Sequence, residues 1–175
     1  MNTLCRQTTP GLKSKTRPTI AAAFAVMVVL ASSTLIAHHS FAMYDRTIMY
    51  VFTGVVDRII PDGAHMQIVF VPLNEQRDAL VRDASGMPAT WMVEMGGSAQ
   101  EAREGITAES FARGTVFSVG LAPLISGQRG GARMEALFKC PPKKPPAPGK
   151  HCDSVEGATS HGEGHLAKAT AAWKP

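Results

Sequence analysis

From Thr19 to Ala37 the chain carries no charged residue, and the basic residues Arg6, Lys13, Lys15 and Arg17 precede it without one acid. Ile20 to Leu30 is the apolar heart of this stretch. Ser32, Ser33 and Thr34 raise the polarity, and Leu35-Ile36-Ala37 ends it on a small residue. Basic region, apolar region and small-residue end, in that order, read as a secretory signal peptide over residues 1–37. The folding unit is then expected to begin at His38, and the protein to work in the periplasm. An uncleaved anchor is the alternative, because nineteen uncharged residues are just enough to span a bilayer. The polar Ser-Ser-Thr in the last third favours cleavage. A cut after Ala31 would leave Leu35 and Ile36 exposed.

Removing the leader changes the charge and the cysteine count. Four of the 18 bases and none of the 14 acids lie in residues 1–37, so the remainder has no formal net charge. No Lys/Arg cluster precedes the Pro-rich tail, which argues against a nucleic-acid footprint. Contact with a membrane is expected only in passing, through the signal peptide. Of three cysteines, Cys5 leaves with the leader, while Cys140 and Cys152 stay as an even pair in an oxidising compartment. A disulfide between them would close a loop holding Pro141, Pro142, Pro145, Pro146 and Pro148. Loops near this size give roughly 3 kcal/mol by chain entropy, less where proline already stiffens the unfolded loop. The pair with His151 could also hold metal, but no second Cys/His pair stands at zinc-finger spacing.

Thr47 to Ile60 is rich in β-branched and aromatic residues and nearly continuous, so it reads as a strand buried on both faces or bent near Gly54. Pro61-Asp62-Gly63 is a turn, and His65 to Val71 is the return strand, with Met66, Ile68 and Phe70 on one face. Asn74 to Gly86 is a charged excursion with a short strand possible at Ala79 to Arg82. Thr90 to Met95 is the next strand. Ser98-Ala99-Gln100-Glu101 has the form of a capping box, opening a helix that stops at Gly105. Thr107 to Phe111 is one further turn. Thr115 to Leu121 and Ala132 to Lys139 are the last strands, the latter with Met134, Ala136 and Phe138 set against Arg133, Glu135 and Lys139. Gly127 to Gly131 between them reads as a hairpin tip. Residues 141–175 lack periodicity, and Gly157, Ser160, Gly162 and Gly164 argue against a packed element.

Five or six strands with one short helix before the last two predict an all-β fold, a small OB-like barrel over residues 38–140. An immunoglobulin-like sandwich is the alternative and needs about seven strands. The Pro/Gly-rich tail, 141–175, follows with its disulfide loop.

Ala37-His38-His39-Ser40-Phe41, just after the leader, resembles the start of exported bacterial proteins grouped as domain-of-unknown-function family 6152. Thr53-Gly54-Val55-Val56, Trp91-Met92-Val93-Glu94-Met95-Gly96, Ser98 to Gly105 and Ser110 to Gly114 resemble further segments of that family in order. His65 falls where members carry an Asn-Pro-His turn, with Gly63-Ala64 here in place of Asn-Pro. Residues 72–89 are longer than the usual connection. The resemblance covers roughly residues 37–140 and implies export and a fold, with no activity attached.

Cleavage after Ala37 would make His38 the first residue. Its α-amine and imidazole can chelate one metal together, and a second imidazole would complete a histidine brace, an arrangement that suits copper. The amine must lose its proton to bind, which Cu(II) can enforce. His65 is the candidate partner, because it opens a strand beside the N-terminal lead; His39 serves instead if the lead coils. Met43 and Met49 are soft ligands suited to Cu(I), although methionine is more often core filler. His151, His161 and His165 form a second cluster in the tail. Of these, His161 and His165 are spaced for a metal only on a helix, which Gly162 and Gly164 disfavour, so a solvated tail is the expectation. Glu94, between apolar strand neighbours, is expected to pair with Arg133.

No Gly-x-Ser-x-Gly, Walker loop, His-Glu-x-x-His or dinucleotide fingerprint is present, so an enzyme is the third reading. The first is an exported barrel that binds a small ligand, with copper as the candidate cofactor. The second is an accessory protein that docks to an envelope partner and has no metal or catalytic role.

Overall fold

β1 (Tyr50–Ile60) is the strand from which the rest is organised. The computed structural model describes residues 41–175; the leader, Cys5, His38 and His39 lie outside the described residues. The first half of β1 pairs antiparallel with β4 (Val116–Pro123), from Tyr50↔Leu121 to Val55↔Val116. Its second half pairs antiparallel with β2 (Gln67–Pro72), from Gly54↔Pro72 to Ile60↔Gln67. The two neighbours lie on opposite edges of β1, and its register with β2 slips between Val56 and Arg58, a bulge of the kind that bends strands around a barrel. The irregularity is there and not at Gly54. A side chain at Gly54 would instead meet the Phe70 ring, at 2.5 Å from Cβ, so glycine serves a close approach.

β2 continues antiparallel to β3 (Trp91–Glu94). β3 then pairs parallel with the start of β5 (Gly130–Lys139), Met92↔Gly130 to Glu94↔Ala132. β5 returns antiparallel to β4. The circuit β1-β2-β3-β5-β4 closes a five-stranded mixed barrel. α1 (Ser98–Arg103) stands between β3 and β4. This is the OB-like arrangement.

The interior is aromatic. Phe70 and Phe117 meet edge to face at 5.3 Å, and Phe52 and Trp91 lie 4.8 Å apart. Ile106 and Phe111, in the turn after α1, are fully buried, with Phe111 edge-on to Phe117. Side chains of this size stabilise by roughly 1.5–3 kcal/mol each when buried.

Three local expectations need correction. Ser98 is the first helical residue and not the cap; Gly97 takes the N-cap place with no side-chain cap bond. The Ser98 hydroxyl donates to the Asp62 carbonyl, and Glu101 reaches back to the Gly96 N–H. In β5 the expected alternation breaks at Glu135, whose φ is +60°. Leu137, not Phe138, therefore enters the core. Ala79 to Arg82 forms only isolated bridges, Leu73↔Leu80 and Arg82↔Pro88.

The tail also departs from expectation. β6 (Thr159–Leu166) pairs antiparallel with Glu135 to Lys139. The short β3 uses only the first part of that edge of β5, and β6 covers the rest, removing an open row of backbone groups. Gly162 sits at φ +89°, and a Cβ there would lie 3.2 Å from Glu104 Oε2 and 3.3 Å from Arg133 Nη1. The glycines that argued against an element permit one whose backbone passes this close to an ion pair. Cys140 and Cys152 form the expected disulfide, with Cα atoms 5.0 Å apart. Trp173 then packs edge-on against Phe52 (5.7 Å) and Trp91 (5.4 Å), with the Arg129 guanidinium over its ring.

Candidate functional site

His65 lies just before β2 at the end of the β1–β2 turn. Asp62 shapes that turn: its Oδ1 accepts from the backbone N–H groups of Ala64 (2.8 Å) and His65 (3.2 Å). Those bonds hold the Asp62 carboxyl below its ordinary pKa. The His65 imidazole is half-exposed, and its Nδ1 is 3.3 Å from Glu94 Oε1, whose side chain is 18% exposed. Glu94 stands opposite Gln67 in the β2–β3 register, which brings it to the His65 end of the barrel.

The N-terminal lead arrives at the same place. Met43 to Asp45 run antiparallel beyond the end of β4: Asp45 N–H donates to Pro123 O, Ile125 N–H donates to Met43 O, and Tyr44 bridges to Leu124. The Tyr44 ring packs on Ala122 and Ala132. Its hydroxyl is buried beside Glu94 without a well-formed hydrogen bond. Burial first, and then the Glu94 carboxylate, hold that phenol far above its ordinary pKa. The group therefore stays a neutral phenol through the neutral pH range.

Glu101 forms the floor and is completely buried. Its Oε1 accepts from Gly96 N–H (2.9 Å) and from Arg133 Nη2 (3.3 Å). Its Oε2 lies 3.2 Å from Arg133 Nη1, close enough for charge attraction but not aligned for a hydrogen bond. Burial raises the Glu101 pKa, and the Arg133 charge and the Gly96 N–H partly offset it. Arg133 also donates twice to Glu104 Oε2, at 3.0 Å each. Arg133 thus pairs with Glu101 and Glu104, while Glu94 takes His65. The expected Glu94–Arg133 pair does not form, because α1 places two carboxylates nearer the guanidinium.

These residues enclose a cleft of about 300 Å³ between the lead, the β1–β2 turn, the end of β3, α1 and β5. Two of its buried polar atoms, Tyr44 Oη and Glu101 Oε2, lack a hydrogen-bond partner. Buried polar groups are nearly always satisfied; here each of the two faces a charged neighbour, Glu94 for Tyr44 and Arg133 for Glu101, without a well-aligned hydrogen bond. His65 lines the same space.

Among the described residues, no three of His, Cys, Asp and Glu converge to hold a metal, so His65 supplies at most part of a coordination sphere. His38 and His39 lie outside the described residues. His161 lies on β6 and not on a helix, and both its ring nitrogens are engaged, with Glu104 O (2.7 Å) and Thr159 Oγ1 (3.0 Å). The spacing of His161 and His165 therefore falls on a strand, without the helical face that Gly162 and Gly164 already disfavoured. Met43 is half-exposed in the lead. Met49 is anchored through its backbone by Thr170, whose hydroxyl accepts its N–H. Tyr44 and Glu101 are the residues that sequence reasoning missed; the four-residue Ser98–Glu101 pattern marked Glu101, but for helix capping.

Fold and cleft together define a small closed β-barrel with a polar site at one end. The family of unknown function DUF6152 matches residues 25–133. The chain belongs to that family. No curated protein and no solved structure matches the chain.

Proposed function

We propose that the protein is an exported binding module and that the Tyr44–His65–Glu94 cleft is where it takes its ligand, with copper as that ligand. The observation that carries the reading is the His65 pair. Its Nδ1 faces a carboxylate while the other ring nitrogen has no partner among the described residues. Histidines that bind metals are commonly backed by a carboxylate at the rear nitrogen, and Glu94 stands in that place, at ion-pair distance and not in a formed hydrogen bond. The α-amine and imidazole of His38 would supply the other donors after cleavage following Ala37. His39 is the substitute donor.

The disulfide is compatible with an oxidising compartment. Tyr44, a neutral phenol beside Glu94, lends the cleft a buried hydroxyl.

Copper titrated into a protein beginning at His38 tests the reading directly. The same protein with one residue added before His38 should bind at least tenfold more weakly, and His65→Ala should lose a nitrogen in the copper spectrum. Equal affinity in the first pair would sink the brace. An unchanged spectrum in the second would remove His65 from the site.

A further inference from the structure

A second cleft, of about 660 Å³, opens on the face of the barrel that the tail covers. One wall is Val51, Phe52 and Thr53 of β1; another is the segment after β2, with Arg77; the third is residues 169–173, ending at Trp173. His151 sits at its base. The family match ends at residue 133, so His151 and the whole third wall belong to a part of the chain outside the matched segment.

The polar groups at the base form a chain whose protons can be assigned. Cys152 N–H donates to Ser118 Oγ at 2.9 Å. Ser118 Oγ and Thr53 Oγ1 are 2.7 Å apart, and Thr53 Oγ1 and His151 Nδ1 are 2.9 Å apart. Ser118 and Thr53 are buried. Both hydroxyl protons are used when Ser118 donates to Thr53 and Thr53 donates to Nδ1. The reverse direction leaves the Ser118 proton with no acceptor among the described residues, which is costly in a buried site. Nδ1 is thus the acceptor, and the neutral ring carries its proton on Nε2.

Arg77 is the second donor. Its backbone is left-handed, with φ +64°. Its Nε donates to Lys150 O (2.9 Å) and its Nη1 to Asn74 O (2.8 Å). Those bonds fix the guanidinium plane and leave Nη2 without a partner among the described residues. The Arg77 charge also acts on His151, whose pKa is lowered first by burial and then by that charge. Glu75 lines the cleft too; its carboxylate is exposed and acts on the Arg77 charge from the solvent side, so an incoming anion competes with a solvated carboxylate.

We infer that this cleft binds a small organic carboxylate with an apolar body. The anion is taken by Arg77 Nη2 and His151 Nε2–H, and the body by Phe52 and the 169–173 segment. A cleft of this volume with an apolar wall and a few convergent polar groups is the ordinary form of a small-molecule site. Arg77 and His151 both line this cleft, and the Arg77 charge is felt at the His151 ring; a guanidinium and an imidazole N–H on one cleft suit a planar carboxylate. The site is separate from the His65 cleft and does not depend on copper.

The probe is phenylacetate, followed by NMR of the His151 ring and by Trp fluorescence on the disulfide-intact chain, with phenylacetamide and inorganic phosphate as comparisons. Phenylacetate should bind at roughly millimolar concentration, as expected for so small a ligand, and shift the His151 resonances. Phenylacetamide should bind at least tenfold more weakly, and phosphate should not compete. Arg77→Gln should weaken phenylacetate at least tenfold. The phenylacetamide comparison uses the unaltered protein, so it decides even if that variant folds poorly. Equal binding of phenylacetate and phenylacetamide would overturn the anion site. Competition by phosphate at equal concentration would overturn the role of the apolar wall. Binding that leaves the His151 signals unmoved would place the ligand elsewhere and overturn the proposal.

Discussion

Thr53 and His151, 98 residues apart in the chain, share a hydrogen bond of 2.9 Å between Oγ1 and Nδ1. It ties the middle of β1 to the residue next to the disulfide. The bond matters to stability because it is built for a neutral ring. Protonating Nδ1 would turn an acceptor into a donor and reverse the Ser118–Thr53 chain.

Stability should therefore fall on acidification through this residue. Burial, and then the Arg77 charge, lower the His151 pKa below its ordinary 6.5, with Asp153 acting weakly the other way. In the window between that lowered value and 6.5, the unfolded chain binds the proton and the folded one resists it. The contribution is complete above 6.5 and is lost as pH falls through the folded value. His151→Gln keeps a hydrogen-bond acceptor for Thr53 and cannot titrate. Urea midpoints from pH 7.5 to 5 should fall more steeply for the parent than for the variant. Parallel curves would remove His151 as the source.

Replacing Cys140 and Cys152 together by serine should cost about 2–3 kcal/mol. The chain-entropy value for a loop of this length is roughly 3 kcal/mol, and the prolines inside it reduce the gain. Loss of the bridge also loosens Cys152, whose N–H bonds Ser118. Urea unfolding of the double variant, compared with the oxidised parent, checks the magnitude. Coincident midpoints for oxidised and reduced parent would contradict it.

How much of this was legible in the residues follows from what kind of force placed each element. β1, β2 and β4 were readable because β-branched and aromatic runs end at Pro61-Asp62-Gly63 or begin after Gly114, and both signals are local. β6 was not, because Thr159 to Leu166 contains His, Glu and two glycines and no apolar alternation. Its order comes from backbone pairing with the part of β5 that β3 leaves open, a tertiary fact. The slip of β5 at Glu135 likewise depends on a positive φ that nothing in its neighbours announces. At the candidate site, His65 stood out as a histidine beside a turn. Tyr44 and Glu101 did not, because their burial depends on the lead returning to the end of β4 and on α1 leaning over Arg133. A carboxylate at a helix start reads as a cap until its burial is seen.

Trp173→Ala should destabilise the barrel by about 2 kcal/mol. The ring packs edge-on to Phe52 and Trp91 and is covered by Arg129, but it is only partly buried, so the cost falls below that of a core aromatic. Trp91 would then be the only tryptophan, and its fluorescence should shift to the red as water reaches it. A variant with unchanged stability and an unshifted spectrum would mean that the tail does not cover the barrel in solution.

Arg133→Met should be the most damaging of these changes at neutral pH, about 3–5 kcal/mol, because it leaves the buried Glu101 carboxylate without its cation. The loss should depend on pH in a defined direction. Burial already raises the Glu101 pKa above its ordinary 4.5, and Arg133 holds the rise down. Without Arg133 the folded value climbs further. Below 4.5 the carboxyl is protonated in both states, and its missing partner costs little. As pH rises, the unfolded carboxyl ionises while the folded one resists, so stability is lost until the folded pKa is passed. The gap between Arg133→Met and the parent should therefore widen from pH 4 to pH 7. Adding Glu101→Gln removes the titrating group but keeps an oxygen for the Gly96 N–H. The double variant should recover a large part of the neutral-pH loss, and its residual deficit should not change with pH, apart from the surviving Glu104. Urea midpoints for the parent, both single variants and the double variant at the two pH values complete the cycle. A pH-independent cost for Arg133→Met would mean that the arginine acts through packing and not through its charge on either carboxylate.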